Sequence, residues 1–366
     1  MAQYSISKSR PTKDRLLELE GLSESNRYRV HMNPDWFADY IECFQRQSSA
    51  FLLEARETGS GKLVGALPLE IQEVLNERGR KMRQLVPLAG GQSDFSLFLC
   101  LPGHEQAYAR GIVHWLVQHR QEWESLRMNV VPQSSRGWPE FAHALEGSGF
   151  SSKVSQDRFF YKVNTDGRWE DYEKGFLHRR LDTLRNLMNQ LTRDYGEIQA
   201  RILETGIEDH LDNLMTWYRQ RRKEIGQKDA FGIYPEKLGF LKSVIRDFEP
   251  KRLVRLSMLT AGKEVLAYQL DWIDQGIWYY YMPAFNERFA KYSPSKILLF
   301  ETMRMAFGDP AIHEFNFMRG EETYKAQFAN ETEAFISIRV SNPWSFRFKA
   351  AALFSRIAAL RDRIIR

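Results

Sequence analysis

Three strand patterns in a row constrain the fold of this chain more than any other feature. They are joined only by the short turns Gly-Lys and Asp-Gln-Gly, and they read RLVRLSMLTA, EVLAYQLDWID and IWYYYMPAF. Turns this short join neighbouring antiparallel strands, so residues 252–285 predict a three-stranded meander. A helix from Ser293, the strand IHEFNFM, a short helix and the strand AFISIRVS are predicted to follow.

The first half of the chain repeats this order of elements without repeating its letters. It too predicts a helix, a three-stranded meander, a helix, a strand, a helix and a strand. A length of 366 residues also favours two domains. We therefore expect an α/β (α+β) protein with two copies of one fold. The predicted parts are a flexible N-terminus at 1–22, an N-terminal domain at 23–165, a C-terminal domain at 166–342 and a basic amphipathic helix at 343–366.

A dense polar cluster directly follows the strand that contains Phe315 and Phe317. The chain there reads RGEETYKAQF, and Gly320 allows a sharp turn. Charged side chains at a strand end imply mutual pairing or a ligand, because burying them unpaired is costly. A helix resuming at Glu321 would pair Glu321 with Lys325. A surface helix start with a routine salt bridge explains the cluster equally well.

The helix that follows the meander has a start suited to binding an anion. Ser293 is the expected cap and Pro294 fits the first turn, while Lys296 adds positive charge. Free backbone N–H groups and the helix dipole favour anions at such an end. An ordinary capped helix is the alternative interpretation. The apolar residues of this helix recur at helical spacing and are predicted to be core.

The order of elements and the stretch from Tyr281 to Phe328 resemble a known family. The order is that of the GNAT acyltransferase core, and the stretch resembles the CelD-type acetyltransferases linked to cellulose and exopolysaccharide biosynthesis. That family shows a Tyr-ended strand, a Ser-Pro-small helix start and a strand closing in Asp-x-x-x-Gly-Asp/Glu-x-x-Tyr-Lys. The matching residues are Tyr281, Ser293, Pro294, Gly320, Glu321, Tyr324 and Lys325. Asn316 stands where the family often has Asp, and Ser295 replaces the common Gly.

The resemblance implies tandem GNAT-like folds with mixed, mostly antiparallel sheets flanked by helices, and an active second domain. It implies transfer of an acyl group, foremost acetyl, from acetyl-CoA or another acyl-CoA, with no metal. The implied acceptor is an amine or hydroxyl of a sugar-like or cell-envelope precursor. The catalytic candidates are Glu321, Glu322, Tyr324 and Lys325. The cofactor-binding candidates are Tyr281, Ser293, Pro294, Ser295 and Lys296, and the substrate-binding candidates are Asn316, Arg319 and Gly320.

Within this hypothesis each candidate has a chemical role. Glu321 or Glu322 would draw the proton from the acceptor, and Tyr324 would return one to the thiolate. Arg319 and Lys325 would hold anionic groups or fix the carboxylates. The first half carries Arg136-Gly137 after a strand but lacks the Glu, Tyr and Lys, so it is interpreted as a non-catalytic copy.

Two alternatives come from other functional classes. The related Fem-type peptidoglycan transferases also pair two such domains and use aminoacyl-tRNA, so a tRNA-dependent transferase stays open. A non-catalytic scaffold in exopolysaccharide synthesis is the second alternative. Apart from tRNA, no nucleic-acid partner is expected.

Composition and charge add only broad limits. A net charge of +5 and a pI near 9.0 suit anionic partners without selecting one. Cys43 and Cys100 are expected as two buried thiols in a reducing cytoplasm. The histidines are scattered, which argues against a metal site. The basic stripe at 346–366 predicts docking on the protein itself or peripheral contact with the inner face of the membrane. Residues 218–226, YRQRRKEIG, predict a solvated helix face or a contact for an anionic acceptor.

Overall fold

The architecture comes from a computed structural model, which describes residues 4–24, 26–77, 79–320 and 322–344, with the backbone alone at 157 and 176–181. The chain forms two compact units. The first unit comprises Met1–Arg158 and Ala334–Arg366, and the second comprises Phe159–Glu333. The predicted helix at 343–366 lies, from residue 345 onward, outside the described residues.

The strands and helices are numbered along the chain. The strands are β1 Tyr4–Ser9, β2 Ala50–Glu57, β3 Leu63–Leu75, β4 Lys81–Pro87, β5 Leu99–Cys100, β6 Ser125–Pro132, β7 Ser151–Asn164, β8 Ile198–Leu203, β9 Val254–Ala261, β10 Glu264–Asp274, β11 Ile277–Phe285, β12 Glu314–Arg319 and β13 Glu331–Ser341. The α-helices are α1 Lys13–Leu17, α2 Leu19–Ser23, α3 Pro34–Cys43, α4 Glu105–Gln118, α5 Trp138–Leu145, α6 Trp169–Tyr172, α7 His178–Tyr195, α8 Glu208–Glu224, α9 Ala230–Ile233, α10 Glu236–Phe248, α11 Pro294–Gly308 and α12 Thr323–Phe328.

In the first unit the strands lie in the order β1-β2-β3-β4-β6-β13. All neighbours are antiparallel except β4 and β6, which are parallel. The core packs α4 and α5 against β2, β3 and β6. The prediction that residues 1–22 are loose is wrong for β1, because Tyr4–Ser9 pairs along its whole length with β2. Asn33 caps α3 as predicted, accepting a hydrogen bond from the backbone N–H of Asp35.

In the second unit the order is β7-β12-β11-β10-β9-β8. The meander β9–β11 is antiparallel as predicted, and β11 runs parallel to β12. The core packs the buried face of α11 against this sheet. The sequence did not predict β8, which is half-buried and pairs with β9.

The strand predicted to complete the second domain belongs mainly to the first unit. From Phe335 to Ser341, β13 pairs antiparallel with β6. In the second unit, the last residues of β7 pair with β12 instead. The units therefore divide at 158/159 and 333/334, whereas the sequence predicted boundaries at 165/166 and 342/343. The pairing of the strands determines these boundaries. The order of elements along the chain does not show which strand β13 pairs with.

A buried carboxyl group stands at the centre of the second sheet. Asp271 on β10 is fully buried, and Gln269 donates to both of its oxygens at 3.1 and 2.9 Å. The backbone N–H of Tyr281 on β11 also donates to it. Burial raises the pKa of Asp271 to about 8, against the opposing effect of these donors and of the Arg255 charge.

Replacing this carboxyl should change how stability depends on pH. The folded pKa lies above the ordinary value, so the folded state keeps a proton that the unfolded chain loses near pH 4. The contribution of Asp271 to the free energy of unfolding is therefore fully present below about pH 4 and is lost as the pH rises toward 8. We expect the free energy of unfolding, measured with urea between pH 5 and 8, to fall less steeply with pH in Asp271→Asn than in the wild type. The two slopes should differ by up to about 1.4 kcal/mol per pH unit.

The surface variant Asp247→Asn is the control for this measurement, since Asp247 lies on α10 beside Arg246. Equal slopes for the wild type and Asp271→Asn would show that Asp271 is ionised throughout this range.

Candidate functional site

The parallel strands β11 and β12 separate after a short paired stretch. Their register covers only three positions, Ile277 with Glu314, Trp278 with Phe315 and Tyr279 with Asn316. Beyond this point β11 continues to Phe285 and β12 to Arg319. The two strands therefore open into a wedge toward their carboxyl ends, the side on which open α/β sheets bind ligands.

A bulge in β12 marks the point where the strands part. Met318 has a left-handed φ of 56°, and the register with β7 shifts between Asn316 and Arg319. The Asn316 side-chain oxygen accepts from the Met318 N–H at 2.8 Å, and its amide nitrogen donates to Glu314 Oε1 at 2.7 Å. The fully buried Asn316 thus holds the bend. Since Asn316 is fully buried, the predicted contact with substrate would require the surrounding side chains to uncover it.

Two tyrosines meet at the closed end of the wedge. Tyr280 is the first residue of β11 beyond the paired stretch, and its ring contacts those of Phe317 and Tyr324 at centroid distances of 5.7 and 6.4 Å. The hydroxyls of Tyr280 and Tyr324 also interact, and each affects the pKa of the other. Burial raises the pKa of Tyr324 to about 12, while the Tyr280 hydroxyl acts in the opposite direction. Tyr324 is therefore neutral at pH 7.

The polar cluster folds into a compact loop before α12. Lys325 is buried, and its Nζ donates to the Arg319 carbonyl and contacts Glu322 Oε2, each at 2.9 Å. Helix α12 begins at Thr323, so Lys325 pairs with Glu322 at i,i+3. Glu321, the predicted partner of Lys325, lies outside the described residues. Lys325 therefore holds the loop together, which matches its predicted role of fixing a carboxylate.

Gly320 gives this loop its tight form. Its φ is 126°, which side chains rarely adopt. A Cβ at this position would lie 2.6 Å from Lys325 Nζ and closer still to Glu322 Oε2. The absence of a side chain thus lets the Lys325–Glu322 pair sit directly against the backbone.

The start of α11 has a different geometry from the one predicted. The helix begins at Pro294, as expected. Ser293 has a left-handed φ of 52°, and its side chain makes no capping hydrogen bond, so the prediction of a side-chain cap is wrong. The Ser293 carbonyl instead accepts from the Lys296 N–H at 2.9 Å. Ser295 is half-buried and Lys296 is exposed, so a polar, basic helix start faces solvent.

Tyr281 lies in a bulge of β11. The register with β10 passes from Met282 to Tyr280 and leaves Tyr281 without an opposite residue. Its backbone N–H donates to Asp271, and its half-buried ring packs on Trp272 at 4.9 Å between centroids. The bulge directs the Tyr281 side chain to the sheet face opposite the ring of Tyr280.

Three residues near the wedge were not predicted from the sequence: Tyr280, Asp271 and Lys237. Tyr280 sits inside the run YYY and is typical of a buried strand position. Lys237 begins α10, and its pKa is lowered by burial and by the nearby charge of Arg319. In QLDWID the polar residues Gln269 and Asp271 stand two positions apart, on the same face of the predicted strand. This was the only feature of the sequence that marked Asp271.

The equivalent place in the first unit is occupied by the chain itself. There β4 and β6 are parallel through only Gln84 with Ser125 and Leu85 with Leu126, and Val130 has a left-handed φ of 57°. The segment that follows β4 runs back alongside β6, and the Ser96 N–H donates to the Val130 carbonyl at 3.0 Å. In the second unit, the paired stretch of β11 and β12 likewise ends after three positions.

The part of the chain that the structure describes offers neither a grouped set of metal ligands nor a membrane-spanning helix. No three His, Cys, Asp or Glu side chains of that part of the chain are grouped to hold a metal ion. None of the helices defined by these residues is long and apolar enough to cross a bilayer. Both cysteines are free, with Cys100 buried and Cys43 half-buried.

Comparison with known proteins identifies the second unit. Residues 178–326 match the family model described as Acetyltransferase (GNAT) domain. No curated protein matches the chain. Among solved structures, FemX aligns with 90% of this chain and 96% of its own at 9% identity and a TM-score of 0.59.

Two further structures share the fold over most of their length. A conserved protein of unknown function from Bacteroides thetaiotaomicron aligns with 93% of this chain and 100% of its own, at 10% identity and a TM-score of 0.58. The C-terminal domain of a putative lysylphosphatidylglycerol synthetase from Agrobacterium fabrum aligns with 94% of this chain and 95% of its own, at 10% identity and a TM-score of 0.51. The chain thus has a tandem GNAT-like fold, and the match of residues 178–326 to an acetyltransferase domain supports an acyltransferase.

Substituting Gly320 should damage the loop beside the wedge. Gly320→Ala would strain the backbone and displace the Lys325–Glu322 pair, so we expect a loss of about 1–3 kcal/mol in unfolding free energy. Acyl-CoA turnover should fall with it. The matched control is Gly308→Ala at the end of α11, where a Cβ meets no atom within 4 Å. Gly320→Ala with the stability and turnover of the wild type would contradict this account of the loop.

Proposed function

We propose that the second unit transfers an acyl group, foremost acetyl, directly from acyl-CoA to an amine or hydroxyl of a sugar-like or envelope-precursor acceptor. The observation that carries the proposal is the wedge between β11 and β12, with the Tyr280–Tyr324 pair at its closed end. The GNAT match over residues 178–326 supports acyl-CoA as the donor. The acceptor class follows from the resemblance of Tyr281–Phe328 to the exopolysaccharide-linked family.

The residues around the wedge suit an acyl-CoA. Separated strand edges leave backbone N–H and C=O groups to pair with the amides of an extended pantetheine arm, as a peptide adds to a sheet edge. The start of α11, with Ser293, Pro294, Ser295 and Lys296, would take the pyrophosphate through backbone N–H groups and positive charge. Tyr281 would line the wedge from the bulge of β11.

The reaction forms a bond between the acceptor nitrogen or oxygen and the acyl carbon, and it breaks the acyl carbon–sulfur bond. The acceptor loses a proton, and the departing thiolate gains one. Tyr324 is the acid in this proposal, because its raised pKa keeps it neutral at pH 7. The neighbouring Tyr280 hydroxyl would donate a hydrogen bond to the phenolate left after proton transfer and so stabilise it.

The base in this proposal is a glutamate of the polar cluster. Glu322 is exposed and contacts Lys325, so it would draw the proton through water. Glu321 is the second candidate. Arg319, at the end of β12, would hold an anionic group of the acceptor or donor. Since acyl-CoA is a cytoplasmic metabolite, we place the reaction in the cytoplasm.

Removing the Tyr324 hydroxyl should slow the chemical step specifically. Tyr324→Phe should lower kcat roughly 10²-fold, the usual effect of losing a general acid, with little change in acyl-CoA affinity. Thiol release measures kcat, and calorimetry measures affinity. A donor with a far more acidic thiol, such as a thiophenyl ester, should recover most of the lost rate because its thiolate needs no acid.

Tyr4→Phe is the matched control, since it removes one hydroxyl from the first unit. Glu321→Gln and Glu322→Gln, tested separately, should show which glutamate is the base. Full turnover by Tyr324→Phe with acetyl-CoA would refute the acid role. Stabilisation by aminoacyl-tRNA and not by acyl-CoA would favour the Fem-type alternative, and FemX shares the fold. No thiol release with any donor would favour the scaffold.

The dependence of kcat on pH provides an independent check. The acid form of Tyr324 is required, so its contribution would be lost as the pH rises through about 12. We therefore compare the kcat of the wild type with that of Tyr324→Phe at each pH. The ratio of the two kcat values should stay constant up to pH 10. A fall in this ratio between pH 8 and 10 would exclude Tyr324 as a neutral acid of such high pKa.

A further inference from the structure

Residues 218–238, here called the rim, lie near the carboxyl ends of β11 and β12. They comprise the end of α8, all of α9 and the start of α10. At one side the Arg221 guanidinium lies 5.7 Å from the ring centroid of Phe285, the last residue of β11. At the other side Lys237 is close enough to Arg319, the last residue of β12, for that charge to lower its pKa. The rim therefore reaches from the end of one wedge strand to the end of the other.

Apolar side chains are exposed on this rim. Ile225, Ile233 and Tyr234 are 48%, 53% and 50% exposed. Across the described residues seven large hydrophobic side chains are exposed, and these three fall within ten consecutive positions. Single exposed apolar residues are normal, but a local group of them marks an interaction surface.

The same segment is strongly basic. Six cations stand against three acids, which gives the rim a net charge of +3; they are Arg219, Arg221, Arg222, Lys223, Lys228 and Lys237 against Glu224, Asp229 and Glu236. Arg219 pairs with Asp229 at 3.5 Å and Arg221 with Glu224 at 3.3 Å. Lys223 and Lys228 are exposed and have no ion-pair partner among the residues that the structure describes.

Exposed apolar side chains among available cations match the chemistry of an anionic lipid surface. The apolar groups enter the interface, and each lysine near an anionic leaflet raises partitioning roughly fivefold. The lysines could also bind the phosphates of a nucleic acid. The exposed isoleucines would not contribute to that binding, because an aliphatic side chain makes no favourable interaction with a phosphate backbone. The combination therefore favours lipid over RNA.

We propose that the rim docks on an anionic bilayer, with Ile225, Ile233 and Tyr234 entering the interface and Lys223 and Lys228 contacting the headgroups. The mouth of the wedge would then face the membrane. In combination with the proposed acyl transfer, this orientation assigns the acceptor to the membrane-bound pool. The docking itself does not depend on that reaction.

Vesicle co-sedimentation of the full chain tests this proposal. The vesicles contain 70% phosphatidylcholine and 30% phosphatidylglycerol, or phosphatidylcholine alone. The paired changes Ile233→Ser with Tyr234→Ser, and Lys223→Glu with Lys228→Glu, should each lower the partition coefficient on anionic vesicles at least tenfold. The wild type should bind phosphatidylcholine alone much more weakly. Residues 346–366 are unchanged in all variants, so their contribution cancels in these ratios.

Matched controls make the same chemical changes elsewhere. Leu75→Ser with Val154→Ser removes exposed apolar side chains from the first unit, and Lys81→Glu with Lys153→Glu reverses exposed charges there. These variants should stay within twofold of the wild type, with circular dichroism and thermal unfolding confirming that every variant folds.

Each other outcome would overturn the docking proposal. Rim variants that bind like the wild type would place any membrane contact outside the rim. Equal binding to vesicles with and without phosphatidylglycerol would show that charge does not contribute to docking. Binding that is lost only in the lysine variant, and that deacylated tRNA abolishes by competition, would identify an RNA surface. Acyl-CoA binding is measured separately, so failure of the proposed reaction would not be mistaken for failure of docking.

Discussion

The hydrogen bond from the Met318 N–H to the Asn316 side chain is the contact on which the site depends. It holds a left-handed residue inside a buried strand, a conformation that otherwise costs about 1–3 kcal/mol. That bend turns β12 away from β11 after three paired positions. Without this bend, the two strands could continue to pair toward their carboxyl ends.

The two units show what a shared fold permits and what it does not guarantee. Both have a short parallel pair of strands and a left-handed residue in the second strand of that pair. In the first unit the chain fills the opening, since Ser96 bonds to Val130. In the second unit a tyrosine pair and a tight Gly320 loop follow the point where β11 and β12 part. Function therefore depends on local details of the fold.

Charge and burial assign distinct tasks to the polar cluster. Of the two roles that the sequence suggested for Lys325, holding an anionic group or fixing a carboxylate, its burial and its contacts with Glu322 and the Arg319 carbonyl favour the second. Burial raises the pKa of Tyr324 further above neutral pH, and its ring contacts that of Tyr280. The exposed cations lie farther out, on the rim, where apolar side chains accompany them. Our proposals for acyl transfer and for membrane docking thus rest on different residues.

The sequence by itself determined the local elements, because their causes are local. Turn residues and alternation predicted the meander β9–β11, Asn33 and Pro294 marked two helix starts, and the polar run RGEETYKAQF indicated the region of the site. Only the tertiary structure decided that β13 pairs with β6, that Asn316 holds a bend and that the ring of Tyr280 contacts that of Tyr324. β13 and β6 lie some 200 residues apart in the chain, and Asn316 and Tyr280 occupy positions that read as ordinary strand core, so only packing can reveal their roles.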